Sequence, residues 1–290
     1  MKEELKFGHL RKDLERNKAI ATKHIEEGVT YDQIYDSTLH NIGSSFSKVL
    51  PENYITHVNN NNAAKIEDFG EAFKKYIEDT LSKKESGNRT AIEFGGPGSK
   101  LFSGFSNSFF SKSVGVCLED LRPVYKKMSD SERGHSVVVA DILETNDKEK
   151  FTEIENSLGN RKVDLIVSRL MGPLNSEKKI QGAIILKRNP AVLDRVIRKW
   201  YSMLNDGGLL FAQFEYFDEH DPYIEKKRES ELNQPPIMEI EENVKNWVNE
   251  INKKFSDKIE IQLGRGIIRL LKKPGAPEEL PKITELFKVK

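Results

Sequence analysis

The chain of 290 residues has a single cysteine, Cys117. That excludes an intramolecular disulfide and a zinc site built from cysteines. Long hydrophobic runs are also missing. No stretch approaches the roughly 20 apolar residues that a bilayer-spanning helix needs. The opening residues, MKEELKFGHLRKDLERNK, carry both signs of charge around no apolar centre, so they do not read as a secretory signal, and cytoplasmic residence is the expectation. Charge of one sign is absent too. Acids and bases balance at 46 each, leaving no global positive field to draw in RNA or DNA, and a nucleic-acid partner is not expected. The six histidines are scattered, with no two at the i, i+4 spacing that puts a pair on one helix face, and no metal site is expected. What remains, 37% hydrophobic and 32% charged residues, is enough to bury a large core. The length suits one large α/β domain or two smaller ones.

The texture changes near residue 88. Before it, LRKDLERNKAIATKHIEEG, TYDQIYDSTLHNIGSSFSKVL and KIEDFGEAFKKYIEDTLSKK place apolar residues three and four apart, which predicts about three helices. Gly28, Pro51 and the asparagines from Asn59 to Asn62 are breaks between them. KKESGNR then reads as a polar linker. Beyond it, short β-branched runs alternate with helical segments. Strands are predicted at 90–96, 113–120, 135–143, 162–170 and in GLLFAQFEYF, with helices in LRPVYKKMSDSE, KEKFTEIENSLG and NPAVLDRVIRKWYSMLNDGG. Runs apolar on both faces and separated by helices imply a parallel sheet covered on both sides. The end differs: IEENVKNWVNEINKKF reads as a helix, and KIEIQLGRGIIRLLKK as two strands joined through Gly264 and Gly266, a hairpin.

The most informative stretch is RTAIEFGGPGSKLF, where the first strand ends on Glu93 and breaks into Gly95, Gly96, Pro97 and Gly98. Three ligand classes use such a turn. A phosphate-cradling P-loop needs Lys followed by Ser or Thr, but Lys100 is followed by Leu101. A nicotinamide turn wants a third glycine, and Leu101 stands there. A tight strand-to-helix turn with no ligand fits these residues too, and the third ligand class enters only through a family resemblance.

AIEFGGPGS resembles the first motif of class I S-adenosylmethionine-dependent methyltransferases: an apolar strand ending in an acid, then a glycine-rich turn. The resemblance spans about residues 88 to 273 and is carried by successive motifs. It implies that Glu93 faces the methionine part of S-adenosylmethionine and that Gly95, Gly96 and Gly98 form the floor of its site. The second strand ends in Glu119 and Asp120; one of these acids would accept the ribose hydroxyls, with Glu119 favoured, and Asp120 also suits a helix cap. In VADIL the resemblance assigns Asp141, with Ile142 beside it, to the adenine. LNDGGLLFAQ is similar to the family's entry into the fifth strand. The implied fold is α/β: a Rossmann-like seven-stranded, mostly parallel sheet of order 3-2-1-4-5-7-6 with helices on both faces. An N-terminal helical region, 1–87, precedes the methyltransferase domain, 88–290, as a lid or substrate region.

The acceptor is less marked. Amine methyltransferases of planar nitrogens carry an Asn- or Asp-Pro-Pro-Tyr-like turn after the fourth strand, and this chain reads SRLMGPL. Ser168 and Arg169 after that strand, with Glu215 and His220 after the fifth, are the candidates to meet an acceptor or its proton. The acids around His220 would raise its pKa. Tyr31, Tyr35 and His40 are candidates to line the lid. MGPLNSEKKIQGAIILKRNP reads as a long substrate loop, its Lys178, Lys179, Lys187 and Arg188 as a solvated basic surface. The expected activity is methyl transfer to a small molecule or a protein. The alternatives are a non-catalytic binding or regulatory module of this fold and, third, a nicotinamide-dependent oxidoreductase.

Overall fold

A computed structural model describes residues 38–61, 63–82, 88–117, 119–140, 148–168, 175–180, 183–188, 190–213, 237–264 and 266–281. In chain order these form helices α1 (Leu39–Phe46), α2 (Glu52–Asn59) and α3 (Ile66–Leu81), then β1 (Thr90–Phe94), α4 (Ser99–Ser103), β2 (Lys112–Cys117), α5 (Val124–Glu132), β3 (His135–Val139), α6 (Lys148–Ser157) and β4 (Val163–Ser168). There follow β5 (Asn175–Ile180), β6 (Ala183–Arg188), α7 (Pro190–Met203), β7 (Leu204–Gln213), α8 (Ile237–Phe255), β8 (Ile259–Gly264) and β9 (Ile267–Lys272).

Seven strands make one sheet in the order β3-β2-β1-β4-β7-β9-β8, with β5 and β6 apart as a two-stranded antiparallel ribbon. Counting only the strands of the large sheet, this is the expected order 3-2-1-4-5-7-6. The first five are parallel, and β9 runs antiparallel to both β7 and β8.

The central strands β1 and β4, and β7 from Gly208 on, are buried throughout; their side chains are mostly apolar, and period-2 alternation sends them to opposite faces. Ile92, Phe94, Ile166 and Leu210 face α6, α7 and α8, where Trp200 stacks on Phe94 with ring centroids 4.6 Å apart. Ala91, Leu165, Val167, Leu209 and Phe211 face the other way, against Ile42, Phe46, Phe73 and Ile77 of α1 and α3 and Leu101 of α4. The rings of Phe46 and Phe73 lie 5.3 and 5.0 Å from that of Phe211. The described N-terminal helices therefore share a core with the sheet. Buried Arg269 of β9 fastens them further: its Nε donates to the Val49 carbonyl at 2.7 Å, and its guanidinium also meets the Tyr76 hydroxyl, Gln262 and Glu260.

Three elements differ from the sequence reading. Helix α2 is additional; it follows Pro51 and buries only Val58, so its periodicity is faint. Strand β7 starts at Leu204, not near Gly208, because Leu204 pairs with Val163 before an irregularity after which Leu209 pairs with Leu165. The segment read as a substrate loop forms the β5–β6 ribbon, in which Lys178 is opposite Ile185 and Lys179 opposite Ile184. The two strands pair antiparallel, from Ile180 opposite Ala183 to Asn175 opposite Arg188.

Candidate functional site

All five parallel strands end on one edge of the sheet. The chain leaves β1 toward β2 and β3 on one side, and later returns through β4 and β7 on the other. The crevice outside the carboxyl ends of β1 and β4 is thus the switch point where ligands of open α/β sheets bind. Register places Phe94 opposite both Val116 and Ser168, Ser168 opposite Ala212, and Cys117 opposite Val139.

Buried polar groups are met differently at the two ends of these strands. At the opposite end, buried Asp164 accepts from the Thr90 amide and the Asn205 side chain, each at 2.8 Å, so the strand starts are stitched together. At the carboxyl edge, fully buried Ser168 at the tip of β4 has a hydroxyl with no hydrogen-bond partner among the described residues. The same holds for the side-chain oxygen of buried Gln213, at the tip of β7. Buried polar atoms are rarely left so unless something else meets them. Gln213 was missed by the sequence reading; its signal was a lone amide closing the apolar run LLFA.

The glycine turn leaves β1 at this crevice and folds back over β2. The Gly95 amide donates to the Val116 carbonyl at 2.9 Å, and Gly96 bridges antiparallel to Val116. Gly95 and Gly98 have φ of 91° and 70°, a region that other residues enter at a cost, so glycine is required at both. Close approach sets a second requirement. A Cβ on Gly115 of β2 would lie 2.1 Å from the carbonyl carbon and oxygen of Pro97.

Glu93 sits beneath this turn, 1% exposed. Its Oε2 accepts the Gly98 amide at 2.6 Å, a charge-assisted bond that fixes the turn from inside. One side of the resemblance's cofactor floor is thus braced by the acid that precedes it.

The tip of β2 carries the paired acids. Both oxygens of Asp120 are engaged by Arg122, from Nε at 2.9 Å and Nη2 at 3.0 Å, and Lys127 adds a contact at 3.3 Å. Burial pushes the Asp120 carboxyl up, but the hydrogen bonds from Arg122 outweigh this and leave it below its ordinary value. Arg122 also donates to buried Asp130 of α5 at 2.8 Å. Asp120 is therefore part of a structural ion-pair network, and Glu119 beside it is half-buried. The Cys117 thiol donates to the Glu119 carbonyl at 3.2 Å. Burial, then the charge of Asp120, with Glu93 adding further, pushes that thiol up to about 12.

Asp141, Ile142, Arg169 and His220 lie outside the described residues, as do Tyr31, Tyr35 and Glu215. Among the described residues no group of three or more His, Cys, Asp or Glu side chains comes together as a metal site. None of their helices is long and apolar enough to cross a membrane.

No protein-family model and no curated protein sequence matches the chain. Among solved structures it is similar to an rRNA methylase from Streptococcus thermophilus, at 11% identity over 69% of this chain and 96% of that one, with a TM-score of 0.38. The MycE methyltransferase of the mycinamycin biosynthetic pathway, in complex with Mg, SAH and mycinamycin VI, aligns at 13% identity over 79% of this chain and 65% of that one, also with a TM-score of 0.38. The N-methyltransferase NodS from Bradyrhizobium japonicum WM9 gives 11% over 69% and 96%, with a TM-score of 0.33. Similarity at these values carries no functional weight; the strand order and the strand-tip residues do.

Proposed function

We propose that this chain is an S-adenosylmethionine-dependent methyltransferase acting on a small molecule or a protein. The observation that carries the reading is the juxtaposition at the sheet's switch point of a positive-φ glycine turn with Glu119 at the neighbouring strand tip. Glycine lets this turn lie directly on the side chains beneath it, so its shape is set by close packing. On Gly96 an added Cβ would come within 2.7 Å of the Glu93 carboxylate, and on Gly98 within 2.8 Å of the Phe102 ring. S-adenosylmethionine, when bound, supplies a methyl group activated by a positively charged sulfur.

The chain's own residues then bind and orient. The backbone of Gly95 to Gly98 would lie along the methionine part, with Glu93 holding that backbone in place and adding negative charge beneath it. The Glu119 carboxylate would accept both ribose hydroxyls, and a hydrogen bond to a charged acceptor contributes about 1.5 to 3 kcal/mol. Asp141 and Ile142 are assigned to the adenine by the resemblance. Ser168 and Gln213, from the tips of β4 and β7, would offer the acceptor molecule one hydroxyl and one amide oxygen from rigid strands. Arg169 would pair with an anionic group of that molecule, and His220 is the remaining candidate for its proton. Holding nucleophile and methyl in line in a site without water can supply roughly 7 to 11 kcal/mol of the acceleration.

Incubation with methyl-labelled S-adenosylmethionine and a fractionated lysate tests the reading. Protein-dependent label in a small-molecule or protein fraction is expected. Label confined to RNA would overturn the acceptor class, and bound cofactor with no label in any fraction would favour the non-catalytic binding module.

A further inference from the structure

The peptide unit between Pro97 and Gly98 is gripped at both ends by buried side chains from different strands. Glu93 of β1 takes its N–H. His135, the first residue of β3, places Nε2 2.8 Å from its carbonyl oxygen, on Pro97. The other ring nitrogen, Nδ1, is 2.8 Å from Ser113 Oγ of β2. His135 and Ser113 are 6% and 5% exposed. Because a carbonyl can only accept, Nε2 must carry the proton; Nδ1 is then the acceptor, and the Ser113 hydroxyl donates to it. Ser113 thus fixes the tautomer, and the tautomer fixes the peptide.

We propose that His135, aligned by Ser113, is a positioning residue of the cofactor-binding turn: it sets the orientation of the Pro97–Gly98 peptide and so the backbone against which the cofactor rests. This role rests on the cofactor reading above. Ser113 and His135 have the composition of a nucleophile and its base, but the geometry points elsewhere. Both stand at the starts of their strands, away from the carboxyl edge, and the ring's second nitrogen is taken by a backbone carbonyl. The clamp is polarised consistently, with a donor on the carbonyl and a carboxylate on the amide, so a flip of that one peptide would break both bonds at once. The room for it is made by Gly115, over which Pro97 lies. The ring borders a small cavity shared with Ser99, Asp130 and Arg133. Burial holds its pKa down at about 4, against the pull of Asp130, with the charges of Arg122 and Arg133 adding to the fall. The ring is therefore neutral, as the donor and acceptor pattern requires.

The test compares His135→Leu with His135→Gln by calorimetric titration with S-adenosylhomocysteine. The fitted stoichiometry reports the folded fraction, and Kd reports the turn. Leucine leaves the Pro97 carbonyl unmet, and Kd is expected to rise roughly ten- to a hundredfold. Glutamine can donate to that carbonyl and accept from Ser113, so its Kd is expected to stay within about threefold of wild type. A purely structural histidine would lower the melting temperature in both variants and leave Kd of the folded protein alone; that result overturns the proposal. Should His135→Leu not fold, Ser113→Ala keeps the question open to measurement: a Kd raised roughly threefold or more supports the clamp, and an unchanged one overturns it. Wild-type protein that takes up no S-adenosylhomocysteine would sink the cofactor reading first and this role with it, which is distinguishable from wild-type binding matched by His135→Leu.

Discussion

Gly115→Ala puts the fold-back of the glycine turn to a severe test. The new Cβ would stand 2.1 Å from the Pro97 carbonyl carbon and oxygen and 2.6 Å from its Cα, where ordinary contact begins at 3.4 Å. The obstructing atoms are all backbone, so no side chain can swing aside; the turn has to withdraw from β2 by more than an ångström. Withdrawal strains the Gly95–Val116 bond and pulls the Pro97–Gly98 peptide off its two clamps. Overpacking of this kind costs about 1 to 3 kcal/mol. For a chain of this size that corresponds to a fall of about 2 to 12 °C in Tm. Affinity for S-adenosylhomocysteine is expected to fall by about tenfold or more, since at least one buried hydrogen bond of the turn is lost. Differential scanning fluorimetry and calorimetric titration on the same preparation give both numbers. A Tm within about 1 °C of wild type, half the smallest fall expected, together with unchanged affinity, would refute the close approach of turn and strand.

Glu119→Ala is expected to weaken cofactor binding by about 1 to 3 kcal/mol with little change in Tm, whereas Asp120→Ala should lower Tm through the loss of its Arg122 pair and change Kd far less; the reverse pattern in titrations would exchange the two roles. Stability should fall as pH drops from 6.5 toward 4, because His135 takes up a proton in the unfolded chain throughout that window but in the folded chain only near pH 4. Between pH 7 and pH 5 this is about 2 kcal/mol in denaturant unfolding, and His135→Gln should remove it; equal pH slopes for the two proteins would contradict the burial of a neutral ring. Arg269→Met should cost about 2 kcal/mol or more by leaving the Val49 carbonyl unmet, and a fully stable variant would mean that the N-terminal helices are held otherwise. The Cys117 thiol, buried and pushed up to about 12, should resist thiol reagents at pH 8 until the protein unfolds; rapid modification of native protein would argue against its placement.

The sheet was legible because its information is local. Runs such as TAIEF and VDLIVS are apolar on both faces, and helical spacing between them dictates parallel strands, so β1 to β4, β7 and the closing hairpin lie where composition puts them. The glycine turn was legible because Gly95 and Gly98, both at positive φ, break the chain directly after an acid. What the sequence withheld is whatever depends on partners distant along the chain. Nothing near Gly115 announces that Pro97 will lie on it, and His135 looks like one of six scattered histidines until β3 brings it under the turn. The choice between Glu119 and Asp120 turns on Arg122, two residues beyond Asp120 and well placed to take its carboxylate; that local signal was readable. The β5–β6 ribbon was hidden by its charge, since lysines among isoleucines read as a solvated loop.

Titration of S-adenosylhomocysteine into the wild-type protein tests the central claim most directly. One molecule bound per chain, with Glu119→Ala weakening it, is the expected result. No heat and no thermal shift at millimolar ligand would contradict the claim that the crevice between β1 and β4 cradles this nucleoside.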